Sequence, residues 1–332
     1  MTRTATPFTA VHQVARPTGL PSPADFAFVD GTLPATGGGQ ALVENVLLSV
    51  DPYMREEMDG GWALDAPLEG RTVGRVVESR TPALAVGDLV FHRHGWRTHA
   101  LVGADDARVL PDLPGVPPSA HLGLLGGTGL SAYVGLTRIA RLQPGEDLYV
   151  SAAAGGVGSA VGRIARLLGA GRLVGSAGSP AKVAHLTDRL GFDAAFDHHD
   201  GRIGDLLRAA APDGVDVYFD NVGGDHLEGA IEVLRDHGRI AWCGAVAQYN
   251  GAEPPAAPRN LYDVVGKSLR LEGFLVRDHL AVRDELYGFL VPHLRSGLVR
   301  SDETVVDGFD RIVDAFLGML RGDTVGKALV RV

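Results

Sequence analysis

The segment SAAAGGVGSAVG (151–162) lies between a strand pattern, DLYVSAA (147–153), and a helical one, VGSAVGRIARLLG (157–169). Few folds place so many small residues at such a junction. Larger side chains there would hold the helix off the strand and keep a ligand from the backbone. Without them, the free N–H groups and the positive end of the helix dipole are open to an anion. Ala153 takes the first glycine place of the dinucleotide fingerprint, followed by Gly155 and Gly158, with Gly156 and Val157 between them. The glycine motif alone is weak; the strand–loop–helix setting makes it specific.

The flanking patterns extend that setting. A helical stretch, LSAYVGLTRIARL (130–142), precedes the loop. After it come strand RLVGSA (172–177), helix PAKVAHLTDRLG (180–191), strand AAFD (194–197), helix RIGDLLRAAA (202–211) and strand VDVYFDNV (215–222). Helix DHLEGAIEVLRDHG (225–238), strands RIAWCGA (239–245) and SLRLEGFLV (268–276), and helix HLAVRDELYGFLVPHLRSG (279–297) follow. Alternation of this kind predicts an α/β fold, a doubly wound parallel Rossmann sheet with right-handed crossovers.

Earlier residues have a different texture. ALVENVLLSV (41–50), RTVGRVVES (71–79) and two strands within 87–103, around His94-Gly95, are short and punctuated by Gly and Pro. They predict a β-rich, barrel-like unit. The tail carries TVVDGFDRIVDAFLGMLRG (304–322) and a strand-like KALVRV (327–332), which is expected to return to the first unit. The expected organisation is a β-rich domain over 1–120, a Rossmann domain over 121–297 and a return segment over 298–332. A proline-rich stretch around 253–260 receives no role.

An NAD site usually places an acid about 20 residues beyond the loop, on the ribose hydroxyls. The corresponding GSAGS (175–179) has none, and Lys182 follows at once. A neutral pocket with a lysine suits a 2′-phosphate, so NADPH/NADP is the expected cofactor. Net charge is −9 with no basic face or tail, which argues against a nucleic-acid partner. The one cysteine, Cys243, can form neither an intrachain disulfide nor a multi-cysteine zinc site. His92, His94 and His99 cluster without an evident carboxylate, and His198-His199 reads as a surface pair, so no metal site is expected. The N-terminus lacks a signal-like apolar core, and no run approaches the ~18 apolar residues of a membrane span. A reducing cytoplasm is the expectation.

Seven motifs together resemble one family: SVDPYMR (49–55), GLLGGTGLSAYVGL (123–136), AAAGGVGS (152–159), GSPAK (178–182), YFDNVGG (218–224), GRIAWCGAVAQYN (238–250) and FLGMLRGDTVGKALV (316–330). The chain resembles the medium-chain dehydrogenase/reductase superfamily, with its GroES-like and Rossmann domains. The resemblance is closer still to the zinc-free leukotriene/prostaglandin reductase branch, which includes alkenal/one, plant double-bond and curcumin reductases. It implies that Lys182 meets the 2′-phosphate and that Asn221 lies near the nicotinamide. It implies that Tyr249 contacts the nicotinamide ribose and the substrate oxygen region, and that Tyr53 stands beside the substrate. Thr128 and Gly129 would run along the cofactor, with Ser179 and Cys243 as further candidate contacts. Two positions depart from the family: His198 replaces a tyrosine that touches the 2′-phosphate, and Thr324 replaces an asparagine.

The implied reaction is hydride transfer to the β-carbon of an α,β-unsaturated ketone or aldehyde. Negative charge then develops on the carbonyl oxygen and needs a hydrogen-bond donor. Tyr249 and Tyr53 are the candidates, with the proton for the α-carbon coming from a tyrosine or water. A quinone oxidoreductase or a secondary-metabolite tailoring reductase would share the fold, and a non-catalytic NADPH-binding sensor or structural protein would share the loop. A homodimer is expected, paired near SLRLEGFLV.

Overall fold

The structure, a computed structural model, describes residues 5–251 and 256–332; residues 253–255 of the proline-rich stretch lie outside the described residues. Contacts divide the chain into two units. One holds Met1–Leu122, Glu303–Thr324 and Ala328–Val332, and the other Gly123–Asp302 and Val325–Lys327.

The first unit begins with β1 (Thr6–Gln13) and β2 (Phe26–Leu33), an antiparallel pair. The expected strands at 41–50 and 71–79 are β3 (Gln40–Ser49) and β4 (Thr72–Ser79), with the short helix α1 (Tyr53–Glu56) between them. The two expected within 87–103 are β5 (Leu89–His92) and β6 (His99–Gly103), followed by β7 (Ala107–Val109). β3 is buried along nearly its whole length because β4 and β6 flank it. Beneath the strands, Trp96 is fully buried, stacked on Phe26 and met edge-on by Trp62 and Phe316.

In the second unit the helix expected over 130–142 starts earlier, as α2 (Gly127–Val134), and runs on as a wider turn through Gly135–Ile139. Then come β8 (Leu148–Val150), α3 (Gly156–Leu167), β9 (Leu173–Ala177), α4 (Pro180–Asp188), β10 (Ala194–Asp197), α5 (Ile203–Ala210), β11 (Val215–Asp220), α6 (Gly224–Val233) and β12 (Leu234–Trp242). The short helices α7 (Val246–Tyr249) and α8 (Asp263–Gly266), strand β13 (Arg270–Gly273) and helix α9 (Arg283–Arg295) complete it. The strands form one parallel sheet in the order β10-β9-β8-β11-β12-β13. Leu148–Val150 and Leu173–Ala177 are wholly buried, as strands covered on both faces must be. The chain steps outward from β8 to β10, then resumes at β11 on the other side of β8. That reversal opens a crevice at the carboxyl ends of β8 and β11.

Three further expected elements differ. The helix predicted through 238 ends at Val233, and residues 234–238 open β12. Lys267 stops the helix by donating from Nζ to the carbonyls of Ile231, Glu232 and Leu234, at 2.8–3.0 Å. Those are orphan carbonyls of a helix end, and only a distant residue supplies the donor. The strand predicted over 268–276 shrinks to four residues. The helix predicted from 279 begins with a 3-10 stretch, Val276–Val282.

The closing segment, apart from Val325–Lys327, belongs to the first unit: β14 (Glu303–Asp307), helix α10 (Ile312–Leu320) and all but the first residue of β15 (Lys327–Arg331). β15 pairs antiparallel with β3, Leu329 opposite Ser49, and α10 buries Ile312, Val313 and Phe316 in that unit's core. No helix among the described residues is long and apolar enough to cross a membrane.

Candidate active site

The loop after β8 is held from both sides. Ala153 N donates to Ser176 O of β9 (2.9 Å) and Gly155 N to Ala152 O (3.0 Å), with Ala152 at φ +47°. Gly155 caps α3 in extended conformation with no side-chain cap, and no acid lies in the first turn. A Cβ at Gly158 would fall 2.4 Å from Ala152 O and 2.6 Å from Ala153 Cα, so glycine is what lets helix and strand approach. Ala153 and Gly158 are buried, whereas Gly155, Gly156 and Val157 are half-buried at the helix start. Thr128 lies beside them, its methyl 3.4 Å from where a Gly156 Cβ would stand. Gly129 is explained by packing: a Cβ there would meet Leu124 O at 1.8 Å. A helix start with uncapped N–H groups and small residues fits a pyrophosphate.

The return segment supplies residues that the sequence patterns did not single out. Gly326 N donates to Ala154 O (2.8 Å), and Lys327 N to Asp302 O (2.7 Å). Gly326 has φ +67°, and a Cβ there would stand 1.9 Å from Asp302 O. The carboxylate of Asp302 pairs with Arg163 of α3 at 2.7 Å. Position and handedness make Gly326 a glycine, and its place in GDTVGK was the signal. Thr324, two residues earlier, is half-buried.

At the carboxyl end of β11, Asp220 is buried and its Oδ1 takes hydrogen bonds from Val222 N and Gly223 N (2.8 Å each), the Tyr218 hydroxyl (2.6 Å) and the Ser151 hydroxyl (3.3 Å). Asn221 donates from its backbone to Ser151 Oγ (3.0 Å) and from Nδ2 to Ser151 O (2.8 Å). Asn221 therefore ties the ends of β8 and β11 together across the crevice. Helix α7 hangs from the same turn, Val246 N on Asn221 O and Ala247 N on Val222 O. That brings the Tyr249 hydroxyl to 3.5 Å from where a Gly244 Cβ would stand, the same distance as Asn221 O. Cys243 N bonds Asp220 O, and although the residue is partly exposed its thiol is enclosed near Ser131; burial pushes it up to about 12.

At the end of β9, Ser179 caps α4 by accepting from Lys182 N, and Lys182 is half-buried in the first turn. His198 corrects the expected surface pair. Its neighbour His199 is exposed, but His198 packs against Gly178, with Cε1 2.9 Å from where a Cβ would stand, and Nδ1 donates to Ala177 O at 2.8 Å. The β9 carbonyl draws the ring inward. Asp197, His198 and His199 are the one group of three among the described residues whose metal-ligating atoms come within 4.8 Å. His92, by contrast, spends Nδ1 on the N–H of His94, and burial pushes it down to about 3.

In the first unit, Tyr53 follows Asp51-Pro52 on α1. Arg71 lies over its ring, 4.7 Å from the centroid, and pairs with Asp51 at 3.2 Å. The Tyr53 hydroxyl is buried with no hydrogen-bond partner among the described residues. Burial holds this phenol far above its ordinary value, so it keeps its proton near neutral pH. A buried donor left without a partner is costly unless a ligand meets it.

Two family models match the chain: the N-terminal domain of oxidoreductase over residues 10–110 and the zinc-binding dehydrogenase model over residues 156–292. Prostaglandin reductase 1 of Rattus norvegicus is 41% identical over 317 residues, 94% of this chain and 95% of that protein. The NADPH-dependent curcumin reductase of Escherichia coli is 37% identical, covering 96% and 95%, and the NADP(+)-dependent 2-alkenal reductase of Nicotiana tabacum 35%, covering 95% and 94%. Among solved structures, CurA of Vibrio vulnificus in complex with NADPH superposes with a TM-score of 0.91 at 32% identity, covering 98% of this chain and 99% of that one.

Proposed function

From the premise that the chain belongs to the zinc-free leukotriene/prostaglandin reductase-like branch of the medium-chain dehydrogenase/reductase superfamily, we propose that it is an NADPH-dependent reductase of carbon–carbon double bonds in α,β-unsaturated ketones and aldehydes. The start of α3, at Gly155–Gly158, would hold the pyrophosphate, with Thr128 and the Gly326 segment alongside. Lys182 and His198 would meet the 2′-phosphate at the acid-free end of β9, and Asn221 would border the nicotinamide. Bound there, NADPH supplies the hydride.

The observation that carries the reading is the Tyr249 hydroxyl over the Asn221 turn, at the crevice end of β11 and β12. When the substrate's β-carbon accepts hydride, charge gathers on its carbonyl oxygen. A phenol held by α7 can donate to that oxygen without reorganising. Tyr53, with its hydroxyl lacking a partner, is the second donor on offer.

The test is NADPH oxidation against a panel of alkenals, enones and quinones. Turnover of enals and enones, with the double bond reduced and the carbonyl retained in the product, is the expected result. Turnover of quinones alone would replace the reading with a quinone oxidoreductase. We further propose a cytoplasmic homodimer. The outer strand β13 is short and followed by exposed Leu275 and Leu280, an edge that a second copy would cover. A monomer by light scattering would refute it.

A further inference from the structure

The charge-bearing groups around the ends of β9 and β10 form a cluster that anion binding alone does not explain. Asp197 lies opposite Ala177, and His198 is the next residue. Its backbone N and ring Nδ1 both donate to Ala177 O, at 3.0 and 2.8 Å. A carbonyl can only accept, so Nδ1 carries the hydrogen and Nε2 is the site left for a second proton. The His199 ring lies 4.0 Å from that of His198, and His226 of α6 stands edge-on at 5.4 Å. His199 is itself tethered, Nδ1 and backbone N both on Asp197 Oδ1.

Resting on the NADPH reading above, we propose that His198 is a proton-linked reader of the 2′-phosphate: its Nε2 takes up a proton from solvent as the phosphate docks, with Lys182 and His199 sharing the anion. No covalent bond forms; a neutral imidazole becomes an imidazolium beside a dianion. His198 thereby determines how strongly the protein prefers NADPH to NADH, and the preference depends on pH.

The groups facing His198 set the sign. In the cofactor-free protein burial lowers its affinity for a proton first, then His199; Lys182 adds to this, while Ala177 O and Asp197 oppose it, and the net shift is downward. His226, buried against it, is itself pushed down to about 3 and so carries no charge near neutrality. These groups together favour the neutral form of His198 in the free protein. A phosphate dianion within reach adds the counter-charge that the free site lacks and raises its proton affinity. Between the free and bound values, NADPH affinity falls as pH rises, by up to about tenfold per pH unit for one linked proton. NADH, without the phosphate, shows no such slope.

The phosphate itself titrates near pH 6, so the measurement counts protons by comparison with a variant. NADPH is titrated calorimetrically at pH 7 into the wild-type protein in buffers of different ionisation enthalpy, with NADH as control. The expected result is net uptake for NADPH, on the order of half a proton, and none for NADH. His198→Gln, which keeps a donor but cannot be charged, should abolish the uptake and weaken NADPH binding while leaving NADH binding unchanged; His199→Gln should keep most of the uptake. Equal proton counts in wild type and His198→Gln, with NADPH still preferred, would overturn the inference and leave the NADPH reading standing. Loss of uptake only in His199→Gln would also overturn it. No NADPH preference at any pH would instead sink the reading beneath it. A count that changes with chelator would mark Asp197, His198 and His199 as metal ligands and refute the phosphate role.

Discussion

Replacing Asp220 by alanine and by asparagine should separate its two roles, acceptor and charge. Its Oδ1 receives four hydrogen bonds, while Oδ2 is buried without a partner among the described residues. In Asp220→Ala the Tyr218 hydroxyl can still turn to Ser151 Oγ, 3.0 Å away, but the N–H groups of Val222 and Gly223 lose their acceptor. Each orphaned buried donor costs about 1–3 kcal/mol, so a net loss of about 2–4 kcal/mol is expected once relief from burying the carboxylate is set against it. Asp220→Asn keeps an oxygen in the Oδ1 place and removes the charge, so it should stay within about 1 kcal/mol of wild type. Urea unfolding measures both, and hydrogen exchange at Val222 and Gly223 localises the effect. Burial holds the Asp220 carboxyl above its ordinary range, with the hydrogen bonds opposing. A raised folded-state value means that stability from this group is present at acid pH and is lost as pH climbs through that value. Wild type should therefore lose stability relative to Asp220→Asn as pH rises from about 4. A loss below about 1 kcal/mol in Asp220→Ala, or an equal loss in both variants, would refute the acceptor argument.

Gly158→Ala should weaken NADPH binding and cost about 1–3 kcal/mol of stability, because its Cβ meets backbone that cannot swing aside; a fully stable variant with unchanged affinity would contradict the close-packing account. Tyr249→Phe should slow enone reduction roughly tenfold, below the 10²–10³ of a sole oxyanion donor because other donors can share the oxygen, while NADPH affinity stays largely intact. Unchanged turnover, with chemistry shown to be rate-limiting by a deuteride isotope effect, would pass the donor role to Tyr53, and Tyr53→Phe measured in parallel would show it. Lys182→Ala should cost NADPH about 1–3 kcal/mol of binding and leave NADH nearly unchanged; equal losses would mean that Lys182 acts on the fold.

The local chemistry of the chain was enough to place the glycine-rich junction of strand and helix, the parallel sheet and most strand boundaries of that sheet. Each of these follows from neighbours in sequence: small residues at a strand–helix junction, alternation of apolar residues, glycines and prolines between elements. The missing acid at 175–179 was legible for the same reason, because the end of the second strand lies at a fixed distance from the loop.

Other features needed partners far along the chain. The end of α6 at Val233 depends on Lys267, more than thirty residues away, since Leu234 and Arg235 fit a helical period as well as a strand. Gly326 shows its constraint only against Asp302 and Ala154. His198 reads as a surface residue until β9 brings Ala177 O and Gly178 against it, and that contact decides which ring nitrogen is free. Tyr53 and Tyr249 could be named from their motifs, but the Tyr53 hydroxyl's want of a partner and the seating of Tyr249 over the Asn221 turn are properties of packing. Sequence patterns report on residues that are near one another along the chain; proton affinities, unmet donors and forbidden Cβ positions depend on residues near one another in space, and these only the fold decides.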